Sequence, residues 1–98
     1  MIMSKENRLK IGRENRRVAR VNEILDLLQE ECAEVIQAIS KCRRFGLDEE
    51  RANLVQEIGD VTLLVELLKA FELYNDKELR KAQMKKSKKL SKYSRIYD

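Results

Sequence analysis

Apolar residues recur at steps of three and four along two long stretches of the chain, the spacing of α-helices with a buried side. In the first, Val18, Val21, Leu25, Leu28, Cys32, Val35, Ile36 and Ile39 make a broad apolar face. They predict a helix over 17–45, starting between Arg13 and Arg17 and stopped by Gly46, with residues 1–16 as an extension ahead of it. In "FGLDEERANL", Asp48 is the expected N-cap and Glu49 and Glu50 fall in the first turn, favourable beside the positive end of the helix dipole. A second helix over 49–73 follows. Its apolar residues, from Ile58 through Val61, Leu64 and Leu68 to Phe71, point nearly all round, as in a helix enclosed by neighbours. Asn75 or Asp76 then caps a third helix over 76–93, thin in apolar residues.

Composition narrows the fold class. The chain has no proline and three glycines, so nothing cuts it into short strands and turns, and an all-α helical bundle is expected. Its 98 residues make one domain, 1–98, near the size at which a single chain buries only about two-thirds of its unfolded surface. A homo-oligomer, dimer or tetramer, is therefore expected, in which helices of two subunits complete a four-helix core. The longest nearly apolar run, Val61 to Leu68, contains Glu66 and falls far short of the roughly 20 residues that span a bilayer. The charged N-terminus lacks the apolar centre of a secretory signal. No membrane partner and a cytoplasmic location are expected.

Two helical stripes are interrupted by acids where apolar residues belong. Ile24, Leu27, Glu31, Glu34 and Ala38 lie along one stripe, and Asn53, Glu57, Asp60, Leu64, Leu67 and Phe71 along another. Residues three apart on a helix are neighbours, so Glu31 with Glu34, and Glu57 with Asp60, form two pairs, each able to clamp a cation. Four acids converging between packed helices do not stay charged and unpartnered, because a buried isolated carboxylate takes up a proton instead. A bound cation resolves the conflict. The chain has no histidine, which removes di-iron Glu-x-x-His sites, the usual zinc sites and Ser-His or Cys-His nucleophiles, and oxygen ligands alone suit Mg²⁺, with Mn²⁺ as substitute. The bland alternative is that these acids are surface positions on Glu- and Lys-rich helices. It is disfavoured because both pairs break apolar stripes and sit on consecutive helices joined by a short turn. Glu30 and Glu66 lack that context, and Gly59 either lets a helix approach closely or is simply tolerated.

The net charge of +4 divides into three zones: residues 1–20 carry +5, residues 21–79 carry −8 and residues 80–98 carry +7. An acidic centre between basic ends suits a protein that holds metal ions and a polyphosphate together. Cys32 and Cys42, ten residues apart on one helix, are separated by about 15 Å of rise and cannot bridge. They read as reduced thiols, with Cys32 packed on an apolar face.

The stretches "EECAEVIQAISKCRRFG" and "LVQEIGDVTLLVELL" are similar to the MazG-type all-α nucleoside triphosphate pyrophosphohydrolases, whose signature is E-x-x-E followed after a spacer by E-x-x-D. The resemblance covers roughly Asp26 to Phe71 and places the signature on Glu31, Glu34, Glu57 and Asp60. Where many members carry a further acid just before E-x-x-D, this chain has Gln56. What the resemblance implies is Mg²⁺-dependent hydrolysis of a nucleoside triphosphate between the α and β phosphates, giving a monophosphate and pyrophosphate, with the four acids as metal ligands and catalytic residues. It also implies basic residues near the C-terminus over the phosphates, for which "KKSKKLSKYSRIYD" offers Lys89, Lys92 and Tyr93. Lys41, at the end of the first helix with Arg43 and Arg44, is a further substrate-binding candidate, although cations there also suit the helix dipole.

Two competing readings stand beside this one. A non-enzymatic helical module would grip nucleic acid or an acidic partner through the basic ends; few aromatics and no helix-turn-helix make nucleic acid the weaker expectation. A phosphoribosyl-ATP pyrophosphohydrolase-like enzyme would share the all-α design and metal chemistry, but the "EECAEVIQAISK" and "EIGD" context favours the MazG side.

Overall fold

A computed structural model describes residues 2–98, which form three helices and, among the described residues, no strand: α1 (Lys5–Phe45), α2 (Leu47–Ala70) and α3 (Asp76–Tyr93). The all-α class therefore holds. The first helix starts well before the expected 17, because Ser4 caps it, accepting a hydrogen bond from the Asn7 amide at 3.1 Å, and the following residues are mostly good helix formers. Apolar periodicity does not reveal such a segment, since a helix that projects into solvent needs no buried face. At 41 residues, α1 runs about 61 Å, against about 36 Å for the 24 residues of α2. Its N-terminal turns overhang the rest.

Gly46 is both the stop of α1 and the whole connection to α2. Its φ of 107° lies where L side chains are strained, and its amide donates to the Cys42 carbonyl at 2.9 Å. Asp48 is not the N-cap expected of it. With only one residue in the turn, α2 begins at Leu47, and Asp48 joins Glu49 and Glu50 inside the first turn, where their charges still complement the dipole.

A one-residue connection forces α1 and α2 antiparallel. The core of the hairpin is Val21, Ile24 and Leu68, with Leu28, Leu64, Leu67, Phe71 and Tyr74 packed around it. Nearer the turn, Ala38 is buried and its small side chain lets the helices close together. Two polar clamps fasten the open end. The Arg17 guanidinium donates to the Phe71 carbonyl at 2.9 Å, and the Tyr74 hydroxyl donates to the Val65 carbonyl at 2.6 Å. α2 ends in a Schellman-type turn, with the Leu73 amide bonded to the Leu68 carbonyl and the Glu72 amide to that of Lys69, and the turn puts Glu72 at a left-handed φ of 65°.

Asn75 caps α3 in a reciprocal box: its side chain accepts from the Glu78 amide at 2.9 Å and its own amide donates to the Glu78 carboxylate at 3.1 Å. An ion pair of 3.0 Å from Lys69 to Asp76 spans the junction. Beyond it α3 makes almost no packing contact with α1 or α2. The chain measures 64 × 29 × 16 Å with a radius of gyration of 19.1 Å, where a compact chain of this length has about 13 Å. α2 is covered by α1 on one side only, so the enclosure expected from its all-round apolarity is not supplied within one chain: Val55, Ile58 and Leu63 are left exposed.

Candidate functional site

Folding the hairpin at Gly46 brings Glu31 of α1 level with Glu57 and Asp60 of α2. These three can each offer one carboxylate oxygen such that all lie within 4.8 Å of one another. Glu31 and Glu57 are half-buried and Asp60 is exposed at the rim. Glu31 sits between Ile24 and Ala38, seven residues to either side and both buried, so it occupies the side of α1 that faces α2. Glu34, one turn further along, is exposed and stands outside the group of three, although it is near enough for its charge to act on Glu31.

The electrostatics match the crowding. The Glu31 carboxyl is held above its ordinary range, first by partial desolvation, then by the negative charges of Asp60, Glu57 and Glu34, and by a shared hydrogen bond to Glu57. No lysine or arginine forms an ion pair with any of the four acids among the described residues. The donor set fits a hard divalent cation, because it is all oxygen and converges from two helices.

The remaining candidates are not gathered with these acids. Lys41 is exposed on α1, ten residues and about 15 Å of rise from Glu31. Lys89, Lys92 and Tyr93 lie on α3, which packs on neither helix of the hairpin; the Lys92 ammonium stands 5.4 Å from the Tyr93 ring centre and Tyr93 is 78% exposed. An open trough of about 930 Å³ runs along α3 beside Arg80, Met84 and Lys88, and none of the acids lines it. Glu30 and Glu66 are exposed and outside the carboxylate group. A methyl added at Gly59 would meet nothing within 4 Å, so within one chain this glycine serves no close approach. Cys32 is exposed, not packed, because its row on α1 is turned away from α2. Arg17 escapes sequence reasoning altogether, since its partner is a backbone carbonyl and leaves no side-chain pattern.

Compared with known proteins, residues 20–92 match the family model of the MazG nucleotide pyrophosphohydrolase domain. Neither a curated protein nor a solved structure matches the chain. The matched span includes both acidic pairs and α3 as far as Lys92, and leaves out Tyr93 and the overhanging turns of α1.

Proposed function

We propose that this chain, which belongs to the MazG nucleotide pyrophosphohydrolase family, hydrolyses nucleoside triphosphates to a monophosphate and pyrophosphate with Mg²⁺, or Mn²⁺ in its place, at Glu31, Glu57 and Asp60. The observation that carries the reading is the convergence of those three carboxylates from two helices, with no lysine or arginine among the described residues in an ion pair with them. A bound divalent ion supplies polarisation of the phosphoryl oxygens and compensation of the charge that develops on the leaving pyrophosphate. Glu31, Glu57 and Asp60 hold and orient that charge. Glu34, outside the group of three, is free to align the attacking water and accept its proton. Water oxygen then bonds to the α phosphorus, the bond from that phosphorus to the bridging oxygen breaks, and its electron pair leaves with pyrophosphate. Neither a histidine nor a covalent nucleophile is required.

The reading extends to the assembly. A compact monomer of 11.6 kDa exposes about 5,800 Å², whereas this chain exposes 8755 Å². A homo-oligomer accounts for the surplus, and it supplies the neighbours that α2 lacks. It also provides a route for Lys89, Lys92 and Tyr93 to reach phosphates, from the α3 of another subunit. No helix of the described residues is long and apolar enough to cross a membrane.

Chromatography of products in Mg²⁺ and in excess chelator tests the reaction, with Mn²⁺ binding followed by calorimetry as a readout independent of turnover. Monophosphate and pyrophosphate together, lost in chelator and in Asp60→Ala along with Mn²⁺ binding, are expected. Diphosphate plus orthophosphate would place the attack at the wrong phosphorus. Absence of hydrolysis from every common ribo- and deoxyribonucleotide would favour the binding-module alternative.

A further inference from the structure

The first turns of α1 carry a concentration of positive charge that neither the hairpin nor the acidic site uses. Arg17 bonds the Phe71 carbonyl just past the end of α2, so Lys5 to Arg16, about 18 Å of helix, overhang it, with almost no packing from α3. Lys5, Arg8, Lys10, Arg13 and Arg16 are all exposed and, among the described residues, none is in an ion pair, whereas Arg17 and Arg20 are paired with Glu14 and Glu23. At about 100° per residue, Lys5, Arg13 and Arg16 fall within about 40° of Leu9 around the helix, with Arg8 and Lys10 about 100° to either side. Glu6 is the one acid between Lys5 and Arg16 outside an ion pair. Helix formation does not account for these cations: Lys5 and Arg8, at the start of α1, oppose its dipole, the reverse of Arg43 and Arg44 in its last turn. Five of the seven cations in residues 1–20 are arginine, against two of eight in residues 80–98, and guanidinium is the group that forks onto phosphate.

We infer that this overhang is a docking arm for double-stranded DNA, held through the phosphate backbone without reading sequence. The charge is complementary, and so is the shape. A bare helix is about 10–12 Å across and the DNA major groove about 12 Å wide, so the overhang seats with Leu9 inward and with Arg8 and Lys10 toward the phosphates of opposite walls. Duplex RNA, with its deep and narrow major groove, does not admit a helix in this way. Residues 1–20 contain no aromatic side chain, so a single strand finds nothing to stack on. That scarcity weighs against base recognition and leaves phosphate contacts untouched. A lipid surface is the poorer occupant, because the half of the helix opposite Leu9 sets Ile11 and Val18 among Asn7, Glu14 and Asn15, too little apolar surface to bury. The arm lies outside the residues matched by the MazG family model, which begin at 20. Arg16 is also separated from Glu31 by about 22 Å of rise along α1, so docking does not depend on the hydrolytic reading of the acids.

Fluorescence anisotropy of the full chain on a labelled DNA duplex of about 30 base pairs, starting at about 50 mM salt, tests it. Wild type is expected to bind, and the logarithm of its affinity to fall with the logarithm of salt at a slope between about −3 and −5, about 0.9 for each phosphate the five cations engage. Arg13→Gln combined with Arg16→Gln is expected to weaken binding at least about tenfold and to flatten the slope by about 2, with helicity by circular dichroism unchanged. Lys81→Gln combined with Lys85→Gln removes the same charge from α3 and is expected to bind within about twofold of wild type. Absence of binding by wild type, or affinity lost through the α3 pair and kept by the overhang pair, would overturn the arm. A single strand of the same length bound as tightly as the duplex would overturn the choice of double-stranded DNA. Binding to vesicles of phosphatidylserine and phosphatidylcholine that needs Arg13 and Arg16, with none to the duplex, would give the overhang to a lipid surface instead.

Discussion

Glu31 and Asp60, on opposite helices and almost equidistant in sequence from Gly46, bring carboxylate oxygens within 4.8 Å of each other. Two like charges at that distance work against the fold until a cation joins them. The folded state raises the pKa of Glu31, so it binds that proton more tightly than the unfolded chain does, and stability falls as pH rises from the ordinary carboxylate value through the raised one. Above that window the penalty is fully present. In chelator at neutral pH, Glu31→Gln should therefore melt at a higher temperature than wild type, and the gap should close on acidification through the raised pKa. Added Mg²⁺ should reverse the order, because it stabilises only the protein that retains the ligand. Calorimetric melts of both proteins across pH, with and without Mg²⁺, check it.

Gly46→Ala should cost about 1–3 kcal/mol in chemical denaturation. The cause is conformational, since φ 107°, ψ 143° is a region almost reserved for glycine. A Cβ there would meet only the Glu49 side chain at an ordinary 3.7 Å. Relief of the strain by shifting the turn would move Glu57 and Asp60 relative to Glu31, so the same variant should also lose affinity for Mn²⁺ in calorimetry.

Glu72→Gly should stabilise the chain by about 0.5–1 kcal/mol. The left-handed conformation costs a non-glycine residue roughly 1–2 kcal/mol, part of which glycine returns through its more flexible unfolded state. Urea denaturation midpoints measure the gain. An unchanged or lowered midpoint would show that Glu72 contributes more through its charge beside Arg17 than its backbone costs.

Arg17→Met keeps the aliphatic stem and removes the bond to the Phe71 carbonyl, which joins residues far apart in sequence. A loss of about 1 kcal/mol is expected by urea denaturation. Glu14→Gln should change stability little, because its pairing with Arg17 is a solvent-exposed contact between neighbouring turns of one helix.

What was legible in the sequence followed from local chemistry. The stop at Gly46, a cap at Asn75 or Asp76 and a meeting of acids from consecutive helices, in which Glu31, Glu57 and Asp60 come together and the expected Glu34 stays outside, each depend on residue types within a few turns of one another, or on a turn too short to permit another arrangement. What was not legible depends on surroundings that pattern alone does not record. The helical overhang from Lys5 has no buried face to announce it, and Cys32 sits in an apolar row that α2 leaves uncovered. The placement of Lys89, Lys92 and Tyr93 is a matter of where α3 goes after Asn75, and a helix with so few apolar residues carries little to specify its docking.

The one-residue turn also fixes a rotational phase. Each residue of an α-helix advances about 100° around its axis, so a residue inserted beside Gly46 that turned α2 by that angle would swing Glu57 and Asp60 away from Glu31 and, on the same rigid helix, Leu64 and Leu68 out of the core. Burial of those two leucines and convergence of the acids thus require the same angle. A longer, compliant connection would leave that angle to packing alone; here a one-residue turn constrains it for both.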